Sequence, residues 1–331
     1  MRRSIDADLD EVIGRPKSVA LLMFPFDGNV GNHMMWLAIT RYLAERDVRV
    51  GYSAHAGNLD IPAMRRAIGD DPVLFLGGVT MSSLWPDHRE AKRRVAAECP
   101  QNRIVQLTST TLFIDDDDRE AARHVFDGHP DVSILARDPS SAEQLESLYD
   151  GEVQVRLSHD SAFRLGARES KIGESGIGWL ARNDAERLAA DGPSIETFDW
   201  PEIYEPIHRT TYLALRTTGL LSRLRGSRSV GGRLGRLVNA SISRGYGWAS
   251  SRLVDYGVDV LSTRHVLVTD RMHPHVLAVM IGQQVVLLPD KFGKNRAVFD
   301  YSTQRFPNVH WADDADTARE IADTLMGTDA T

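Results

Sequence analysis

RHVLVTDRMHPHVLAVMIGQQVVLLPDKFGKNRAVFD, residues 264–300, switches twice between strand and helix patterning. Residues 265–269 are a short apolar, β-branched run of the kind that forms a buried strand. Pro274 stands where a first helical residue would, and Gly282 stops the helix before residues 284–288 begin a second buried strand. Strand, loop, helix and strand in so short a span form the repeating unit of a parallel sheet. The unit places Asp270, Arg271 and His273 at the carboxyl end of a strand, facing a helix N-terminus. Open α/β sheets bind ligands there, and an adjacent arginine favours a carboxylate or phosphate. A second basic set, Lys291, Lys294, Asn295 and Arg296, follows the next strand. On the residues alone two readings stay open: Arg271 is an anion ligand or the partner of Asp270 in a structural ion pair, and His273 is an acid/base or a helix cap.

The same alternation runs upstream. Strands are predicted at 18–24, 48–52, 73–76, 104–107, 134–136 and 153–157, with helices at 33–46, 62–68, 87–98, 119–126 and 140–149. That is the pattern of a doubly wound α/β sheet. Residues 166–176 are polar and carry three glycines, which marks a boundary between two domains, 1–165 and 177–331, each long enough to bury its own core. The second opens with a strand at 177–181, continues through a helix at 248–261, and closes with an amphipathic helix at 315–326.

The first strand runs into the loop PFDGNVGN, residues 25–32. Gly28 and Gly31 permit close backbone approach, and Asn29 and Asn32 can hydrogen-bond a ligand. Strand, glycine-bearing loop and helix form the layout of a phosphate or sugar-phosphate cradle; the full Gly-x-Gly-x-x-Gly pattern and the Walker lysine are missing, so dinucleotide and P-loop readings are poor. Arg137 also ends a strand, before a helix whose start is marked by Asp138 and Pro139. It is an anion ligand or a solvated neighbour of the Asp138 cap. A metal reading of His159 and Asp160 fails, because no further ligand stands at metal spacing.

Cys99 is the one cysteine, which excludes a disulfide framework and a cysteine-rich metal centre and makes a reducing cytoplasm the natural compartment. Residues 5–11 are acidic where a signal peptide would be basic and then apolar, and no apolar run reaches the roughly 20 residues that span a bilayer. Apolar content of 42% and charged content of 26% are those of a soluble globular chain. The net charge of −7 is spread unevenly: nine arginines from Arg209 to Arg252 stand in a segment, 206–254, without any Asp or Glu. This implies an anionic partner at that segment, and argues against nucleic-acid binding by the protein as a whole. An apolar stretch, 212–221, lies within it. The segment is therefore a basic amphipathic element resting on an anionic membrane at its inner face, or a solvated insertion.

Residues 269–276, Thr-Asp-Arg-Met-His-Pro-His-Val, with Gly293-Lys294-Asn295-Arg296, resemble the C-terminal signature of the polysaccharide pyruvyl transferase family, enzymes that move a pyruvyl group from phosphoenolpyruvate onto a sugar. The loop at 28–32 is similar to that family's opening Gly-Asn-x-Gly-Asn/Asp loop. Arg137-Asp138-Pro139-Ser140-Ser141 resembles its Arg-Asp-x-x-Ser, and Gln106 its Pro-Gln-Ser strand end with altered spacing. Ser82-Ser83-Leu84-Trp85 resembles its Gly-Asp-Leu-Trp, with Ser83 where the acid would stand. His159-Asp160 resembles a Pro-Asp pair, and Arg182-Asn183-Asp184 a recurrent Arg-x-Asp.

The resemblance implies two Rossmann-like doubly wound domains facing a cleft, as in GT-B glycosyltransferases, with the acceptor on the N-terminal side and the donor on the C-terminal side. It implies transfer of pyruvate from phosphoenolpyruvate to two hydroxyls of a sugar or lipid-linked oligosaccharide, forming a cyclic ketal. No metal or other cofactor is required. Arg271 and His273 would be catalytic, with His275 the rival acid/base. Arg137, Arg271, Met272, Lys294 and Asn295 would hold the donor, and Gly28, Asn29, Gly31, Asn32, Trp85 and His275 would line the acceptor side or cleft. Two other classes fit the patterning: a GT-B nucleotide-sugar glycosyltransferase, and a non-enzymatic two-domain sugar-binding protein. Phosphate release, nucleoside diphosphate release or binding alone separates the three.

Overall fold

The computed structural model describes residues 1–331 except Thr80, 183–196, 226–231 and 329–331. In chain order the elements are α1 (Arg2–Ile13), β1 (Ser18–Leu22), α2 (Val30–Glu45), β2 (Arg49–Ala54), α3 (Ile61–Ile68), β3 (Val73–Phe75), α4 (Pro86–Glu98), β4 (Ile104–Ser109), α5 (Asp116–Arg123), β5 (Val132–Ala136), α6 (Pro139–Tyr149), β6 (Gln154–Leu157), β7 (Ile177–Leu180), α7 (Arg209–Arg225), α8 (Gly232–Leu261), β8 (Val266–Thr269), α9 (Met272–Ile281), β9 (Gln284–Leu287), α10 (Lys294–Val298), β10 (Val309–Trp311) and α11 (Ala315–Thr328). They gather into two compact units. Unit 1 holds Met1–Asp27, Asn32–Arg164 and Glu202–Arg252; unit 2 holds Gly28–Gly31, Leu165–Pro201 and Leu253–Thr331.

Unit 1 carries a six-stranded parallel sheet in the order β2-β1-β3-β4-β5-β6. Every residue of β1, β3, β4 and β5 is buried, as expected of parallel strands covered on both faces. The helices between them start where the sequence supplies caps: Asp60, Asp115 and Asp138 each accept a first-turn N–H, and prolines occupy the first turns of α3, α4 and α6. The order reverses beside β1, which pairs with both β2 and β3. That reversal is the switch point where doubly wound sheets take ligands, and the loops leaving β1 and β3 lie there. The β3 loop is tightly held, since a Cβ on Gly77 would stand 2.0 Å from the Thr108 carbonyl oxygen.

Unit 2 carries a four-stranded parallel sheet in the order β10-β9-β8-β7. Val266, Val268 and Val286 pack on one face against Ala318 and Ala322 of α11. Strand alternation turns Leu267, Val285 and Leu287 to the opposite face, where α9 packs. Both units are α/β with parallel sheets, consistent with a Rossmann-like fold.

The structure differs from the sequence reading in several places. Helix α1 was unforeseen, although Ile5, Leu9, Val12 and Ile13 bury one face of it at helical spacing. Its acids, read only as evidence against a signal peptide, hold arginines of unit 1: Asp6 pairs with Arg164 and Asp8 with Arg156. Strand β10 was also missed, because three residues carry no periodicity. Helix α9 begins at Met272, two residues before Pro274; a proline in the first turn lacks only an N–H that has no intrahelical acceptor there. Finally, the basic segment was assigned to the C-terminal half, but up to Arg252 it belongs to unit 1. Its apolar and aromatic faces find their partners there: Tyr246 stacks on Phe24 with ring centroids 3.8 Å apart, and the Arg225 guanidinium lies 3.8 Å over the Tyr52 ring.

Candidate functional site

In unit 2, β8 ends at Thr269 and the chain turns through Asp270 and Arg271 into α9. The Thr269 hydroxyl fixes the turn by donating to the Leu180 carbonyl (2.7 Å) and accepting from the Arg271 N–H (3.1 Å). Asp270 accepts from the Arg182 N–H (2.8 Å), and burial pushes its carboxyl above the usual carboxylate range. Arg271 is the extended residue before α9, and its guanidinium pairs with Asp199 at 2.5 Å. The ion-pair partner foreseen from sequence was Asp270; the observed one lies far away in the chain, where no local spacing could point to it. No side chain caps α9, so this ten-residue helix turns its first N–H groups and the positive end of its dipole toward the strand end where Arg271 lies.

Asn295 braces this corner. Its amide donates to the Asp270 carbonyl (2.6 Å) and the Leu288 carbonyl (2.9 Å), and its N–H donates to Asp290 (2.7 Å). Its amide nitrogen thus ties the ends of β8 and β9 together. Lys294 stands 3.9 Å from Asp290 with little exposure. The Met272 carbonyl accepts from His275 Nδ1 (3.1 Å), which leaves Nε2 to accept from the Thr303 hydroxyl (2.9 Å). His275 is fully buried, and burial lowers its pKa to about 4, so the ring is neutral at physiological pH. Both ring nitrogens are held inside unit 2, whereas the sequence reading placed the residue on the acceptor side or cleft.

The loop read as an independent motif is joined to this corner. Gly28–Gly31 belongs to unit 2. Asn29 accepts from the Gly31 N–H (3.1 Å), an Asx turn that starts α2. Val30 packs between α8 and α9: a Cβ on Gly257 would lie 2.6 Å from Val30 Cγ1 and 3.2 Å from Leu277 Cδ2. A Cβ on Gly31 would lie 2.2 Å from both Cβ and Cγ of His273. The half-buried His273 ring therefore rests directly on the Gly31 backbone, a contact that any larger residue would break.

The other candidates lie in unit 1. Arg137 is 3% exposed; it donates to Asp160 (2.8 Å) and to the Thr110 hydroxyl (2.6 Å). This ties the end of β5 to the turn after β6. The sequence reading gave Arg137 and Arg271 to the donor, one from each half of the chain; each lies in its own unit and pairs there with a carboxylate. Asn32 donates to Asp27 (3.1 Å). Trp85 is 45% exposed at the start of α4. Its loop is organised by Asp118 of α5, which accepts from the Ser82 hydroxyl (3.0 Å), the Ser83 N–H (2.7 Å), Arg89 (2.7 Å) and the Ile114 N–H (3.0 Å). Burial raises the Asp118 pKa, but these hydrogen bonds outweigh it and hold the carboxyl below its ordinary value. A carboxylate thus reaches Ser83 through space where the local sequence has none. Asn183 and Asp184 lie outside the described residues. Among the described residues no three His, Cys, Asp or Glu side chains are placed to hold a metal ion.

A parallel α/β fold that gathers an arginine, a lysine and a histidine into one corner at a helix N-terminus is suited to an anionic substrate. The chain belongs to the polysaccharide pyruvyl transferase family, which it matches over residues 29–290. It is 20% identical over 302 residues to EpsO of Bacillus subtilis (strain 168), named as a pyruvyl transferase, covering 90% of this chain and 89% of that one. It is 23% identical over 293 residues to pyruvyl transferase 1 of Schizosaccharomyces pombe, covering 84% and 68%. A crystal structure of a Klebsiella pneumoniae protein of uncharacterized function shares the fold, with a TM-score of 0.57 at 16% identity over 95% of this chain and 98% of that one.

Proposed function

We propose that this protein moves the pyruvyl group of phosphoenolpyruvate onto two hydroxyls of one sugar in a surface polysaccharide or glycolipid, closing a cyclic ketal and releasing phosphate. The observation that carries the reading is the seat of His273 on Gly31, in the unit that also holds Arg271 and Lys294. It brings the two motifs richest in family resemblance into contact. Arg271, Lys294 and the α9 N-terminus suit the donor's carboxylate and phosphate. Asp199 holds the Arg271 guanidinium in place and competes with the donor for it.

The chemistry needs an acid before it needs anything else. A sugar hydroxyl adds through oxygen to C2 of phosphoenolpyruvate as His273 delivers a proton to the methylene carbon, and the hydroxyl proton passes to a base. The C2–O bond to phosphate then breaks with its electron pair leaving on phosphate, and the second hydroxyl adds at C2 and loses its proton. One donor and one diol give one ketal and one phosphate. Histidine suits both directions of proton transfer near neutral pH. Arg137 receives no donor contact in this scheme, because Asp160 and Thr110 hold its guanidinium.

The test is phosphate release by the purified protein with phosphoenolpyruvate and a panel of pyranosides. Release that requires both reactants supports the reading. Nucleoside diphosphate release from nucleotide sugars, with none of phosphate from phosphoenolpyruvate, overturns it.

A further inference from the structure

Among the described residues eleven large apolar side chains are exposed, and seven of them fall between 204 and 248. This is the same stretch that carries no acid from 206 to 254, so exposed apolar surface and unopposed positive charge coincide. On α7, Arg209, Leu213, Arg216, Leu220 and Arg223 are all exposed and recur at alternating steps of four and three, which puts them on one stripe. On α8, Leu234, Leu237, Arg244, Trp248 and Arg252 form a second exposed stripe, flanked by exposed Arg233 and Arg236.

The opposite sides of both helices are anchored in unit 1. Asn58 donates to Ser222 of α7 (3.0 Å) and to the Tyr246 hydroxyl of α8 (3.3 Å). The helices touch each other where a Cβ on Gly245 would stand 2.6 Å from the Thr218 hydroxyl oxygen. The two stripes therefore lie on the outward sides of a fixed helix pair. Arg225 is the exception that fits the scheme: it is buried and donates to Ser53 O (2.8 Å), so its charge serves the fold.

We propose that this outer face of α7 and α8 docks on the surface of a lipid bilayer carrying anionic headgroups. Leucine and tryptophan would enter the acyl boundary while the arginines meet lipid phosphates, a division of labour that interfacial helices share. A second copy of the chain would bring two positive stripes together, and a soluble anionic polymer would leave the leucines in water. No helix of the described residues is long and apolar enough to cross a membrane, so the contact lies in the interface. The inference does not depend on the donor or on the transfer chemistry.

The test is co-sedimentation of the full chain with phosphatidylcholine vesicles and with phosphatidylcholine–phosphatidylglycerol vesicles. Binding only to the second, reduced by salt, is expected. Arg216→Gln with Arg244→Gln should lower the partition coefficient roughly 30-fold, about fivefold for each arginine. Leu220→Ser with Leu237→Ser, which keeps every charge, should lower it by about tenfold or more. Brominated lipid should quench tryptophan fluorescence in the native protein and not in Trp248→Phe. All five positions are exposed, so circular dichroism should be unchanged. Equal binding to both vesicle types, unchanged binding of the leucine variant, or concentration-dependent dimerisation in place of vesicle binding would overturn the proposal.

Discussion

Gly31→Ala isolates the contact on which the candidate site rests. Gly31 lies in the first turn of α2 and is not among the glycines with positive φ, so alanine fits its backbone and, as the better helix former, should add up to about 1 kcal/mol of stability. The obstacle is purely steric. The new methyl would stand 2.2 Å from His273 Cβ and Cγ, whereas ordinary contact begins at 3.4 Å, so the histidine must retreat by at least the difference, 1.2 Å. Overpacking of this kind costs about 1–3 kcal/mol, which leaves a net loss of stability near 1 kcal/mol. A displacement of that size at a reacting group costs about 100-fold in rate. Phosphoenolpyruvate-dependent phosphate release should therefore fall about 100-fold while thermal denaturation shifts only a few degrees. Gly219→Ala is the control, since a Cβ there meets nothing within 4 Å; it should keep full turnover. Replacing His273 with Gly in the Gly31→Ala background removes all three clashing atoms, Cβ, Cγ and Nδ1, and should restore stability but not activity. Normal turnover in Gly31→Ala would refute either the contact or the catalytic role of His273.

Three further outcomes are expected. Arg271→Ala should weaken phosphoenolpyruvate binding by about 1.5–3 kcal/mol, as titration calorimetry on the folded variant would report; unchanged affinity removes it from the donor site. Arg137→Ala leaves Asp160 buried without its cation and should destabilise unit 1 by about 3–5 kcal/mol in urea unfolding, and an unchanged midpoint would show that the pair has no structural weight. His275 has a folded pKa of about 4 against an ordinary 6.5, so the unfolded chain binds the extra proton between those values. Stability is then present above pH 6.5 and declines as pH falls toward 4, by about 1.4 kcal/mol per pH unit for this group; His275→Gln should flatten that decline, and an unaltered pH dependence would contradict the assignment.

Every strand of the two sheets except β10 was legible, because buried parallel strands are short apolar runs and the helices between them carry Asp caps and first-turn prolines; β1, β3, β4, β5, β8 and β9 all fall where those signals stand. Residue type and position at strand ends singled out Arg271 and His273, and composition alone exposed the acid-free arginine segment. What only the tertiary structure decided are pairings between residues far apart in the chain. Arg271 finds Asp199, Ser83 finds Asp118, Arg137 finds Asp160, and Gly31 receives His273. The membership of the arginine segment in unit 1 was decided the same way, by Tyr246 on Phe24 and Arg225 on Tyr52. Local periodicity encodes which face of an element is buried. It carries no information about which distant surface does the burying, because that is fixed only when the elements pack.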